Sequence, residues 1–431
     1  MIGSGTIVAL SSGPPPSAVA VIRVSGPEAC AVATAFGVKT LLPRQAVLRG
    51  LTSPVDGSLI DRALCLYFAA PGSATGEDVL ELHLHGGVAV VERVLADAVT
   101  LSGVRAAEAG EFTLRAVLNG KMGLADAEAL ADLIEARTEA ERRRAVRLAD
   151  GALSRRLADW RERLIGALAL CEAHLDFADD GDVGSAQPEI DAVLEPLRSE
   201  IEVVLAGSID AERLTDGFHV ALVGPPNAGK SSLLNALCER DAAIVSPEAG
   251  TTRDVVSVTL DLDGYRVTLS DTAGVRDGVV GVEAAGIART EAARRAADLV
   301  IEVTSPDTRP LDLPDADLRI LHKKDMAAVA ATADLATSLA DPVSIADLRE
   351  HIAAHARAGL SRAENALITR TRQRSALTDV RDGIAEALAT DALELKAEGL
   401  RLACAAMARM TGEIGIEDVL DDVFGRFCIG K

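Results

Sequence analysis

At 431 residues, 48% of them hydrophobic, the chain has material for about two to four domains with true cores. A net charge of −21 excludes a protein that holds nucleic acid by bulk electrostatics, so any RNA contact is expected to be local or supplied by a partner. Six cysteines without a Cys-x-x-Cys pair argue against a disulfide framework or zinc site and suit a reducing cytoplasm; no run near about 20 apolar residues and no basic-then-apolar leader is present, so neither a membrane span nor a signal peptide is expected.

Residues 1–117 mix strand and helix patterns and read as a compact α/β unit. Ala18 to Val24 is an apolar strand with one charge, Arg23. Val79 to His85 alternates with period two and stops at Gly86-Gly87. His83 and His85 share one side of that strand. With no third ligand near in sequence, they read as packing residues rather than metal ligands.

Residues 118–215 are helical. Leu153, Leu157, Trp160, Leu164, Leu168 and Cys171 step by three or four, which predicts an amphipathic helix. The polar run Asp179 to Ser185 breaks it, and a second helix follows Pro188. Residues 216–360 alternate strand and helix, the pattern of a doubly wound α/β domain. Residues 361–431 return to helix. The simplest architecture is therefore multidomain α/β: an N-terminal α/β domain, a discontinuous helical domain, and a nucleotide-binding domain inserted into it. Arginine clusters at Arg142-Arg143-Arg144 and at Arg370, Arg372 and Arg374 read as solvated helix faces.

The inserted stretch carries most of the chemistry. Gly224-Pro225-Pro226-Asn227-Ala228-Gly229-Lys230-Ser231 fits the phosphate-loop pattern G-x-x-x-x-G-K-[ST]. Phe218 to Val223 is a buried strand entering it, and Ser232 to Leu237 a helix leaving it. The glycines let backbone amides turn onto phosphates, and the helix N-terminus adds positive potential. Lys230 would reach the β- and γ-phosphates and Ser231 would hold Mg²⁺. Downstream, Gly250-Thr251-Thr252-Arg253-Asp254 precedes a strand, Val256 to Leu262, and Thr252 can close over the metal. Asp271-Thr272-Ala273-Gly274 ends the next strand, where Asp271 orders the Mg²⁺ shell and the Gly274 amide senses the γ-phosphate. These motifs, in this order, predict a P-loop GTPase.

Base reading departs from the usual Asn-Lys-x-Asp. Here Leu318 to Leu321 leads into His322-Lys323-Lys324-Asp325. Asp325 can accept from guanine's ring N–H and amine, and Lys323 can stack over the base, whereas His322 replaces the asparagine. Ser344 with Ile345 reads as the last, abbreviated base-contact motif. Val275 stands where many GTPases carry a water-orienting glutamine. Two residues can compensate. Asn227 can bind a monovalent cation beside the phosphates, and Glu283 can orient water, although a first-turn helix glutamate is its plainer reading.

At this point the chain closely resembles the MnmE (TrmE) tRNA-modification GTPases. The likeness rests on the phosphate loop, Ala20 to Gly26, Thr75 to Leu82, His85-Gly86-Gly87, Gly110 to Thr113, Leu118 to Lys121 and the final Phe427-Cys428-Ile429-Gly430-Lys431. It implies that the N-terminal domain binds 5-formyl- or methylene-tetrahydrofolate through Arg23, Glu81, Lys121 and Lys431, and mediates a homodimer. It implies potassium at Asn227, Ser246, Glu248 and Thr251, with Mg²⁺ at Ser231 and Thr252. Ala228, Gly229, Ser232, Thr272 and Ala273 complete the GTP site. Glu283, within Val282 to Ile287, matches the family's catalytic glutamate beside Lys230. Cys428 reads as a packed thiol or a support of the folate pocket, with a nucleophile for uracil C6 as the alternative. The resemblance further implies a cytoplasmic enzyme that modifies C5 of the tRNA wobble uridine with an MnmG (GidA)-like partner. That partner alone would carry FAD, since no Gly-x-Gly-x-x-Gly is present here. A ribosome-assembly GTPase and a non-hydrolysing GTP-binding scaffold are the competing expectations.

Overall fold

The computed structural model describes residues 5–176, 187–238, 256–271, 294–326 apart from 312 and 315, 333–412, and 430. The chain separates into two compact units: residues 1–131 with 149–158 and 407–431, and residues 132–148 with 159–406.

The first unit is built on a six-stranded sheet, β1 (Thr6–Leu10), β2 (Ser17–Ser25), β3 (Val47–Thr52), β4 (Leu59–Phe68), β5 (Val79–Gly86) and β6 (Val104–Ala106), in the order β3-β4-β5-β2-β1-β6. All its pairings are antiparallel except β1 with β6. Alternation sorts the strands as expected. Ile22, Val24, Leu80, Leu82 and Leu84 are buried, packed with Phe36 of the turn after helix α1 (Ala29–Ala35) and with Val91 and Val94 of α2 (Val88–Ala98). The intervening residues Arg23, Glu81 and His83 fall on the opposite face. Helices α3 (Glu111–Leu118) and α4 (Leu124–Glu135) follow.

A buried polar network ties α3 to this sheet. The Arg115 guanidinium donates to Glu77 at 2.9 Å, to Glu111 at 3.0 Å and to the Gly5 carbonyl at 2.9 Å. Ser25 donates to Glu77 at 2.7 Å. Arg105 grips Glu111 from the other side, at 2.5 and 2.8 Å. Charged groups this far from water are held only because each is paired.

The second unit contains a second six-stranded sheet: β7 (Phe218–Val223), β8 (Val256–Leu262), β9 (Tyr265–Asp271), β10 (Leu299–Thr304), β11 (Leu318–His322) and β12 (Leu335–Thr337). The order is β12-β11-β10-β7-β9-β8, parallel except for the β8–β9 hairpin. β7 lies inside the sheet, between β10 and β9, and reads Phe-His-Val-Ala-Leu-Val, nearly continuous apolar sequence, because both its faces are covered. The expected strands over 218–223, 256–262, 265–270 and 318–321 all form, two of them one residue longer.

The remaining helices are α5 (Glu139–Ala149), α6 (Ala152–Asp176), α7 (Gln187–Asp216), α8 (Lys230–Cys238), α9 (Pro342–Glu364), α10 (Thr371–Leu388) and α11 (Leu393–Thr411), mostly in this unit, with residues 149–158 and 407–411 counted in the first. The stripe of α6 is buried at Leu153, Leu157, Trp160, Leu164, Ala167 and Cys171. Ala167, not Leu168, takes the core position, keeping a 4-3-4-3-4 spacing along one face. The break expected at Asp179 to Ser185 lies outside the described residues. Helices α10 and α11 cross at Gly383 and Gly399, where a Cβ on Gly383 would stand 2.7 Å from the Gly399 carbonyl oxygen. Lys396 of α11 is fully buried and donates to Asp191 of α7 at 2.5 Å.

The arginine clusters are not simply solvated faces. Arg144 is 4% exposed. Arg143 pairs with Glu364 at 2.8 Å, and Arg147 donates to the Asn365 side chain at 2.8 Å. Arg370 pairs with Asp132, and Arg374 holds Ser208 of α7 at 3.0 Å. They stitch helices together at the turn from α9 to α10. Spacing alone could not show this, because their acidic partners lie far away in sequence. Among the described residues no helix is long and apolar enough to cross a membrane.

Candidate active site

The phosphate loop sits between β7 and α8, at the carboxyl end of an interior strand, where open α/β sheets place their ligands. Its glycines have separate jobs. A Cβ at Gly224 would lie 2.0 Å from the Val303 carbonyl oxygen of β10, so only glycine lets the loop leave the sheet here. Gly229 has φ +95°, and a Cβ there would meet the His322 ring at 2.5 Å. Asn227 itself adopts φ +64°, a left-handed conformation that asparagine tolerates better than most residues. Ala228 is buried and Ser232 is exposed on the first turn of α8.

Lys230 is 4% exposed and folds back over the loop, donating to the carbonyls of Gly224 at 2.8 Å and Pro225 at 2.9 Å. Burial pushes its ammonium below the ordinary lysine value, and the charge of Asp271 opposes this. Ser231 Oγ donates to Asp271 Oδ2 at 2.5 Å. A hydroxyl and a carboxylate thus converge at the loop's exit. That is a hard-oxygen donor pair suited to Mg²⁺.

The base-reading loop follows β11. Lys323 has φ +57°, and its ammonium donates to the Asn227 carbonyl at 2.9 Å, tying this loop to the phosphate loop. Asp325 is exposed and accepts from Ser338 Oγ, and that hydrogen bond holds its carboxyl below the ordinary value. Ser338 follows directly on β12. Ser344, the residue expected at this place, is instead buried in the first turn of α9, where its hydroxyl donates to the Asp341 carbonyl at 2.8 Å. Ser338, immediately after the strand that follows the base reader, is the serine that touches that loop.

In the first unit, Arg23 and Glu81 lie directly opposite each other on β2 and β5, and the guanidinium donates to Glu81 at 2.8 and 3.1 Å. Arg23 also sits over the Phe112 ring, 5.8 Å from its centre. His83 Nε2 is 3.3 Å from the other Glu81 oxygen, and His85 pairs with Asp61. The Gly430 carbonyl accepts from Ser11 at 2.7 Å, and a Cβ on Gly430 would lie 1.9 Å from the Leu10 carbonyl oxygen. Leu10 adjoins Ala9, which pairs with Arg23, so the chain's penultimate residue reaches the strands that carry Arg23. Lys121 is exposed and lies along Gly76, in the loop that feeds β5.

Several expected site residues lie outside the described residues: Ser246, Glu248, Thr251, Thr252, Thr272, Ala273, Gly274, Val275, Glu283, Cys428 and Lys431.

A family model described as the GTP-binding protein TrmE N-terminus matches residues 6–121, and one described as the MnmE helical domain matches residues 124–428. The tRNA modification GTPase MnmE of Azorhizobium caulinodans is 48% identical over 441 residues, covering 99% of this chain and 99% of that protein. The protein of the same name from Methylobacterium radiotolerans is 48% identical over 443 residues, with 99% of each covered. That from Parvibaculum lavamentivorans is 45% identical over 438 residues, covering 99% of this chain and all of the relative. Among solved structures, the G domain of the T. maritima FeoB iron transporter matches 32% of this chain and 98% of its own, at 26% identity and a TM-score of 0.24.

Proposed function

The chain belongs to the MnmE (TrmE) family of tRNA modification GTPases, and from that premise we infer a GTP hydrolase acting in tRNA modification at the wobble uridine. The observation that carries this reading is the match to these enzymes along 99% of the chain, joined to an intact phosphate loop with Lys230 folded over it and Ser231 bonded to Asp271 at its exit.

The finer chemistry is our proposal. Lys230 would bind the β- and γ-phosphates, and Ser231 with Thr252 would hold Mg²⁺, which neutralises phosphate charge when bound. Asp325, braced by Ser338, would read guanine, with Lys323 beside the base. Asn227, Ser246, Glu248 and Thr251 would hold potassium, and Glu283 would orient water in place of the glutamine absent at Val275. The left-handed turn at Asn227, which exposes its side chain, supports the first of these assignments.

The Arg23–Glu81 pair beside Phe112, with Gly430 docked close by, supports a folate-type one-carbon site shared with Lys121 and Lys431. A guanidinium suits the carboxylates of such a ligand and a glutamate its amide-like edge. The 5-formyl- or methylene-tetrahydrofolate would supply the methylene of an aminomethyl or carboxymethylaminomethyl group at C5. Homodimerisation through the N-terminal domain, an MnmG (GidA)-like flavoprotein partner and a cytoplasmic setting complete the proposal. The meeting of the two family models between residues 121 and 124 supports a boundary close to the one drawn after residue 117.

Steady-state hydrolysis in matched potassium and sodium buffers tests the catalytic part. Hydrolysis is expected to be at least about tenfold faster in potassium, since the ion replaces a missing electrostatic stabiliser. Equal, negligible rates in both salts would favour the scaffold.

A further inference from the structure

We propose that His322 is a positioning residue of the nucleotide site: its neutral imidazole locks the phosphate loop to the base-reading loop, and protonating it loosens the bound nucleotide. This rests on the reading of that loop as a guanine-nucleotide site.

The ring is 1% exposed and wedged between two segments distant in sequence. On one side is Gly229, so close that a Cβ there would stand 2.5 Å from His322 Cδ2 and 3.1 Å from Nε2. On the other, His322 Nδ1 lies 3.0 Å from Thr337 Oγ1, a hydroxyl on a residue also 1% exposed. The next residue, Ser338, holds Asp325. His322 therefore touches the phosphate loop on one edge and, through β12, braces the base reader on the other. Its neighbour Lys323 reaches the middle of the phosphate loop, at the Asn227 carbonyl, 2.9 Å away. Where a carboxamide would make this tie by hydrogen bonding, the flat imidazole makes it by packing against a glycine.

Packing of this kind requires a neutral ring. Burial pushes the His322 ring below the ordinary histidine value, Lys323 acts in the same direction, and Asp325 opposes them. Lys230, at the start of α8, turns its ammonium to the Gly224 and Pro225 carbonyls, and Asp307 faces Lys323 at 3.7 Å. Thr337 and Ser338 on the β12 side and Thr304 at the end of β10 carry no charge. A group held below its ordinary value contributes its stabilisation fully above that value, about 6.5 for histidine, and loses it as pH falls further. Acid thus drives the ring out of its slot.

The test is the dissociation constant of N-methylanthraniloyl-GDP for the full chain across pH, compared with His322→Asn and Thr337→Val. The wild-type constant is expected to rise several-fold more than that of His322→Asn as pH falls from about 7.5 to 5, less than the full tenfold per pH unit of one completely linked proton, because the ring is already held below its ordinary value. His322→Asn removes the titrating ring, so its constant should change with pH only as far as other groups of the site titrate. Thr337→Val keeps the shape and removes the ring's partner, so it should weaken binding several-fold at both ends. Parallel wild-type and His322→Asn profiles would overturn the proposal. So would wild-type affinity that rises on acidification, which would mean that the phosphates retain a charged ring. Failure of the wild type to bind GDP at any pH would instead remove the nucleotide reading, and this inference with it.

Discussion

Replacing Lys230 with alanine should lower the rate of GTP hydrolysis by roughly 10²–10³-fold, the usual cost of deleting one preorganised electrostatic donor from a site that excludes water. The side chain is already in the cleft, 4% exposed, with its ammonium on the Gly224 and Pro225 carbonyls. Those contacts are exchangeable. A nucleoside triphosphate offers stronger, charged acceptors at the same place, and burial makes the lysine hungry for them. GTP affinity should therefore fall more than GDP affinity, because the γ-phosphate is lost as a partner. The Ser231–Asp271 hydrogen bond does not use the Lys230 ammonium, so the loop is expected to keep its exit geometry in the variant. Single-turnover phosphate release measures the rate, and a Lys230→Ala enzyme within about threefold of wild type would remove Lys230 from catalysis.

Replacing Arg115 with alanine should have the largest effect on folding. Its side chain is 6% exposed and is shared by Glu77, 26% exposed, and Glu111, 3% exposed. Deleting it leaves two carboxylates short of a partner, one of them deeply buried, and removing one member of such a pair costs about 3–5 kcal/mol. Hydrogen exchange of the β2 and β5 amides in the intact protein reads this directly. Exchange faster by roughly 10²–10³-fold is expected in Arg115→Ala, with Arg115→Lys recovering part of the protection because its compact ammonium lacks the planar fork that reaches Glu77, Glu111 and the Gly5 carbonyl together. Unchanged protection would show that the network is not structural. The same carboxylate sets an acid limit. Burial would raise Glu111, but hydrogen bonds from Arg105, the Glu108 backbone and Arg115 outweigh it and hold its carboxyl below the ordinary value. The stabilisation is therefore present above the ordinary glutamate value of about 4.3 and lost as pH falls below it.

The parts of the molecule legible in the sequence are those fixed by local rules. The run 218–223 announces a doubly covered strand, and Gly224 to Ser231 its phosphate loop, because both depend on contiguous residues. Arg23 and Glu81 were legible only through family likeness. Their cross-strand pairing depends on a register set by the whole sheet, 58 residues apart. Ser338 and Ser344 look alike in the sequence, six residues apart with similar neighbours, and only the end of β12 at Thr337 shows which of them meets the base-reading loop. The arginine clusters misled for a related reason. A basic helix face looks the same in sequence whether water or a distant glutamate covers it, and here Glu364 and Asp132 do. At His322 the sequence shows only that an asparagine is replaced, since composition cannot show that Gly229 leaves a slot the width of a ring.

The central claim is that this GTPase drives modification of the tRNA wobble uridine. The most direct test is the nucleoside content of tRNA from cells lacking their own copy and supplied with either the wild-type chain or Lys230→Ala. The account predicts that the wild type restores the aminomethyl or carboxymethylaminomethyl substituent at C5 of the wobble uridine and that the variant leaves it absent. Wild-type expression with no change in the nucleoside profile, or full restoration by the hydrolysis-deficient variant, would contradict it.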